Sequence, residues 1–223
     1  MDELRSLAAH IMGAVLLTSL PLRALDLSRC ELLSQAAHAT PDPSHGKQLY
    51  EEHCVRCHRP EGSGTGERQY PQLASQQEQY LLEQLVEFVT LDRLAPKMHQ
   101  ILAQSTLANP QSLRDLSDYL ASQPHDEHGE HGDGHRLGRG RRIYDQYCAG
   151  CHGTLGEGRA KGSVPAVDGQ NYTYLLAQLK GFVAGHRSRA EPAVIAAVSN
   201  LSPDDKAAVA DFMSRMPDSR DAK

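Results

Sequence analysis

Apolar residues recur at three- and four-residue spacing along most of the chain. Over 78–91 they are Leu81, Leu82, Leu85, Phe88 and Val89, which form one buried stripe on a helix. No segment shows the strict alternation of a half-buried strand, so the pattern predicts an all-α fold. Two later helices carry start signals. Asn109 precedes Pro110 and Ser202 precedes Pro203, each a capping side chain followed by proline at the first helical position.

The pattern occurs twice. HGKQLYEEHCVRCH (45–58) aligns without gaps to RGRRIYDQYCAGCH (139–152), and YLLEQLVEFVTLDR (80–93) to YLLAQLKGFVAGHR (174–187), all at an offset of 94. Tyr50 and Tyr144, Pro71 and Pro165, Phe88 and Phe182, and Arg93 and Arg187 share positions. One register held over this length marks a tandem duplication. The expected domains are 40–123 and 138–218, joined by a linker at 124–137. The stretch QPHDEHGEHGDGHRLG (123–138) lacks apolar periodicity and holds four Gly, which predicts a flexible polar connection. Its His125, His128, His131 and His135 read either as solvated side chains or as metal ligands.

Composition adds a requirement. With 5% aromatic residues and no Trp in 223 positions, two small cores lack large anchors, and a buried cofactor would fill and staple them. The net charge of −5 leaves no basic footprint for nucleic acid and favours a protein or small redox partner. Residues 1–39 read as a leader region. IMGAVLLTSLPL (11–22) has the length of a signal-peptide core and is short for an ordinary membrane span, although the preceding MDELR is not net basic. Cleavage is placed after Ala24 or at the AHA of 37–39, the alternatives being a short buried helix or an uncleaved anchor.

Four of the five cysteines form two C-x-x-C-H motifs, Cys54, Cys57 and His58, then Cys148, Cys151 and His152. Two thiols one helical turn apart suit addition to the two vinyl groups of a haem, whose iron the adjacent imidazole reaches. Zinc held by four thiolates is the competitor, but structural zinc pairs are usually closer in sequence and need no His after each pair. A thioredoxin-type pair would need a βαβ context. Attachment of this kind takes place outside the cytoplasm, in keeping with a leader. Cys30 is left over, in or near the leader region.

These motifs, the loops SGTGERQYPQLASQ and GEGRAKGSVPAVDGQ, the YLxxQLxxF helices and the Arg ending each helix resemble class I cytochromes c, and their tandem form resembles the dihaem cytochrome c4 family. The resemblance covers roughly 44–122 and 138–216 and implies two haem c groups in two small helical domains. It implies that the Pro71 carbonyl orients His58 and the Pro165 carbonyl orients His152. It implies Met98, five residues after Arg93, as the sixth ligand of the first iron, with neighbouring His99 as competitor. Arg93 and Arg187 read either as partners of haem propionates or as solvated helix-end charges.

The same rule points to Pro192 in the second repeat, which has no iron-binding side chain, and Ala190, Glu191, Ala193 and Val194 offer no thioether. Met213 and Met216 lie in the last helix and read as core residues. The second haem then has an open or water-filled distal side, or is closed by His186, or by a linker histidine. Loss of the thioether lowers its potential. The expected function is exported, periplasmic electron transfer between redox partners such as a dehydrogenase and a terminal oxidase, either as a free carrier or as a dedicated dehydrogenase subunit. The rival is a haem enzyme or small-ligand sensor at an open second haem.

Overall fold

The computed structural model describes residues 27–66, 69–126, 129–159 and 163–219. Among them are α-helices and one 3-10 turn at Pro60–Gly62, with isolated bridges but no strands. The first repeat holds α1 (Arg29–His38), α2 (Pro43–His53), α3 (Val55–His58), α4 (Glu78–Val89), α5 (Pro96–Leu102) and α6 (Pro110–Ser122). The second holds α7 (Leu137–Tyr147), α8 (Ala149–His152), α9 (Tyr172–Val183), α10 (Pro192–Ser199) and α11 (Pro203–Ser214).

Caps set the helix starts as the sequence predicts. Asn109 accepts from the Ser112 N–H at 3.0 Å, and Ser202 from Asp205 N–H at 3.1 Å with a reciprocal Asp205 bond. Asp42 caps α2 ahead of Pro43 in the same way. Each core is organised by a first and last helix crossing at a glycine. A Cβ on Gly46 would lie 2.1 Å from the Asp115 carbonyl oxygen, and one on Gly140 would lie 2.2 Å from that of Ala208. Only Gly permits so close an approach. Tyr50 and Tyr144, fully buried beside these crossings, donate their hydroxyls to the carbonyls of Arg59 and Gly153, the residues that follow the two C-x-x-C-H motifs. Burial pushes both hydroxyls' pKa values up, so they stay protonated donors.

The first core contains a helix that the expected leader region, 1–39, had set aside. α1 lays Leu32 and Ala36 into the cluster of Leu82, Val86, Leu113 and Leu116, and Arg29 pairs with Glu87 and Asp92. Removing either apolar side chain from water stabilises by roughly 25 cal/mol per Å², so α1 belongs to the first folded unit. Cys30 lies exposed on it. The apolar run at 11–22 lies outside the described residues, and none of the described helices is long and apolar enough to cross a membrane.

The connection between repeats is not the loose linker its composition predicts. Asn171 Oδ1 accepts from Glu130 N–H at 2.9 Å, Glu130 O accepts from Tyr172 N–H at 3.0 Å, and Asp211 accepts from the N–H groups of Gly132 and Gly134 at 3.0 and 2.7 Å. Arg215 donates back to the Gly132 carbonyl. Residues 129–134 are therefore a strap whose backbone groups are satisfied by the second repeat. His131 and His135 are exposed, His125 Nε2 lies 3.3 Å from the Asp168 carbonyl, and His128 lies outside the described residues. No three His, Cys, Asp or Glu side chains converge as a metal group among the described residues.

The repeats pack on each other reciprocally. Gln76 bonds both the N–H and the carbonyl of Ala166, at 2.8 and 2.9 Å, while its counterpart Gln170 bonds both groups of Gln72, at 2.9 and 2.8 Å. The chains after α4 and α9 run side by side, Leu94 N–H to His186 O at 2.8 Å and Ser188 N–H to Asp92 O at 3.0 Å.

Candidate cofactor sites

Each C-x-x-C-H motif occupies a break between two helices. Cys54 and Cys148 end α2 and α7, and the one-turn helices α3 and α8 carry the second thiol and the His. The paired thiols are thus held one turn apart by backbone bonds, Cys57 N–H to Cys54 O at 3.0 Å and Cys151 N–H to Cys148 O at 3.1 Å. Burial, reinforced by the partner cysteine, pushes Cys54 up to about 12 and Cys148 up to about 11. The described elements around both pairs are helices, without the βαβ unit of a thioredoxin-type site. Four thiolates around zinc are not brought together either, since no such group forms among the described residues.

The histidines are oriented as the proline loops imply. His58 Nδ1 faces the Pro71 carbonyl at 3.4 Å, and His152 Nδ1 faces that of Pro165 at 2.9 Å. A carbonyl at Nδ1 fixes the tautomer with its proton there and leaves Nε2 as the ligating nitrogen. Desolvation lowers His58 to about 4 and lowers His152 as well, so both rings are neutral, the form that binds a metal. Paired thiols, a neutral imidazole with one nitrogen committed, and an adjoining apolar cluster are the donor set and lining that a covalently attached haem needs, and both repeats supply them.

Met98, on α5, is half-buried against the first core. Competitor His99 is turned away, its Nδ1 2.9 Å from the Phe88 carbonyl. Met213 and Met216 are core residues of the second repeat, 4% and 8% exposed.

The position expected to match Met98 shifts. α5 begins at Pro96 and α10 at Pro192, so the third residues, Met98 and Val194, correspond. Burial agrees position by position: Met98 and Val194 are half-buried, as are His99 and Ile195, while Gln100 and Ala196 are exposed and Leu102 and Val198 buried. Two extra residues between Arg187 and α10 make the difference, so Pro192 is a helix start and not the Met98 equivalent. No thioether stands at Val194 either.

His186 packs its ring on Gly181, where a Cβ would lie 3.4 Å from Nδ1. At ~100° per residue, that flank of α9 is about 120–160° round from Leu175 and Leu179, which enter the second core. Its backbone is also tied into the bridge between repeats. Arg93 and Arg187 are not solvated helix ends. Arg93, 8% exposed, donates to Gln84, Tyr174 and Gln178, and Arg187 donates to Gln178, Tyr80 and Gln84. Each guanidinium also stacks on its own helix's ring, Phe88 at 4.5 Å and Phe182 at 4.9 Å. Tyr80, Gln84, Tyr174 and Gln178 are the fixed polar letters of the YLxxQLxxF helices, while Gln76 and Gln170 were not singled out by sequence; their signal is identity at one polar position of both repeats.

Comparison with known proteins agrees with this arrangement. The family described as Cytochrome c matches twice, over residues 43–124 and 137–217. Cytochrome c4 of Pseudomonas aeruginosa is 31% identical over 189 residues, 81% of this chain and 92% of that protein. Cytochrome c4 of Azotobacter vinelandii is 30% identical, covering 79% and 90%. Among solved structures, reduced recombinant cytochrome c4 from Pseudomonas stutzeri superposes with a TM-score of 0.69 at 24% identity, covering 80% of this chain and 100% of that one. Thiosulfate dehydrogenase (TsdBA) from Marichromatium purpuratum also gives 0.69, at 26% identity, covering 79% of this chain and 40% of that one. The chain belongs to the cytochrome c family, as a tandem, two-haem member of the cytochrome c4 kind.

Proposed function

We propose that the protein is a periplasmic electron carrier with two unequal haem sites. The first haem is attached at Cys54 and Cys57 and ligated by His58 and Met98. The second is attached at Cys148 and Cys151 and ligated by His152, with no thioether opposite. The bound irons supply one-electron couples, and the chain's residues set their ligation, burial and spacing. A Met/His pair raises the potential, which makes the first repeat the high-potential end.

The observation that carries this reading is the reciprocal interface. Arg93 and Arg187 bring two buried guanidiniums together; the side chains that accept from them, Gln84, Gln178, Tyr80 and Tyr174, are neutral, and the Glu87 carboxylate lies behind Gln84. Buried charges are normally paired, and the propionates of both haems are carboxylates of matching shape. Arg93 and Arg187 would then hold the carboxylates of the two cofactors, supplying the charge that offsets theirs. Electrons are passed to and from protein redox partners, a dehydrogenase and a terminal oxidase among the candidates. The likeness to part of a thiosulfate dehydrogenase favours service to a dehydrogenase.

Potentiometric titration of the purified protein tests it. Two one-electron steps are expected, and Met98→Ala should lower only the higher one. A Met98→Ala protein with both steps unmoved would overturn the assignment.

A further inference from the structure

The two repeats present different chemistry on α5 and on its counterpart α10. In the first, α5 offers Met98 at its third position. In the second, the matching inward positions of α10 are Val194, Ile195, Ala197 and Val198, all aliphatic. The polar residues of this segment, Glu191, Ser199 and Asn200, are exposed, and Asn200 is spent on the Ala196 carbonyl at 3.1 Å.

Among the described residues, His186, Lys206, His131 and His135 sit in other settings. His186 lies on the Gly181 flank of α9. Lys206, buried at the start of α11, donates its ammonium to the Leu201 carbonyl. His131 and His135 belong to the strap, which is pinned at Asn171 and Thr173, where α9 begins, and at Asp211, near the end of α11. α10 instead joins the far ends of those helices, and α9, with 12 residues, is about 18 Å long.

Resting on the two-haem reading above, we propose that the second haem is a binding site for an uncharged diatomic ligand, of the carbon monoxide or nitric oxide class, seated against Val194 and Val198. An aliphatic wall supplies no hydrogen bond to an anion, whose desolvation is then uncompensated. It costs a small neutral ligand almost nothing. The same wall lacks the acid–base group that peroxide cleavage requires, so the site selects ligand binding over peroxidase chemistry.

The test uses the full two-haem protein, with haem content measured first. Reduced protein should bind one carbon monoxide per two haems. Val194→Met should abolish that uptake and add a second Met-to-iron charge-transfer band. Val194→Gln, which places a donor in the wall, should tighten azide binding to the oxidised protein about tenfold, the worth of one hydrogen bond to a charged group. Two haems with no carbon monoxide uptake, whichever side chain fills the sixth position, overturn the proposal and leave electron carriage standing. Azide bound equally by the wild type and Val194→Gln overturns the selectivity. Fewer than two haems would instead remove the reading beneath it.

Discussion

Arg93 and Arg187, one from each repeat, donate to the same oxygen, Gln178 Oε1, at 3.0 and 3.1 Å. Two guanidiniums so placed repel each other, and the four neutral side chains around them relieve only part of that cost. Burial alone would raise the Tyr174 hydroxyl, but the two guanidiniums bring it below its ordinary value.

Replacing one of these arginines therefore has an electrical consequence. If the arginines hold the propionates as proposed, Arg187→Gln removes a cation that acts on both haems, so the oxidised, more positive state of each is favoured and both potentials should fall by tens of millivolts. Potentiometry at low and high salt checks this. The fall should survive added salt, because a buried charge is weakly screened. A purely packing role would leave the potentials unmoved.

A second prediction concerns stability. Gly46→Ala places a methyl group 2.1 Å from the Asp115 carbonyl oxygen, far inside van der Waals contact, so α2 and α6 must separate. Overpacking of this kind costs about 1–3 kcal/mol or more. Denaturant melts followed by absorbance should show the first repeat weakened, and Gly140→Ala should weaken the second in the same way.

The third is a pH dependence. Burial raises the Asp168 carboxyl above its ordinary value of 3.8, and bonds from Ser219 oppose this only in part. The folded protein then holds that proton more tightly than the unfolded chain. As pH rises from 3.8 toward the raised value, the unfolded chain loses the proton first and this contribution to stability declines, levelling off above. Asp168→Asn should remove that decline, so the stability difference between the two proteins grows across this window and then stays constant.

Much of this architecture is legible in the sequence because duplication prints it twice. The C-x-x-C-H motifs, the crossing glycines and the proline loops keep one spacing, since each is fixed by a short covalent path. What the sequence hid depends on lengths and long-range partners. Pro192 takes the number that Met98 predicts, but two residues are added before α10 and the turn after it is shorter, and such loop changes leave no periodic mark. The strap reads as loose because Asn171 and Asp211, which hold it, lie far along the chain. α1 reads as leader because its two buried residues, Leu32 and Ala36, make too short a stripe to notice. The glutamines show their purpose only once Gln76 meets the backbone of Ala166 and Gln170 that of Gln72.

The direct measurement of the central claim is the Met-to-iron charge-transfer absorption of oxidised protein, divided by its haem content. Two attached haems with the band of a single thioether ligand, lost in Met98→Ala, are predicted. A full band for each haem would mean that a methionine reaches the second iron, and would contradict the account.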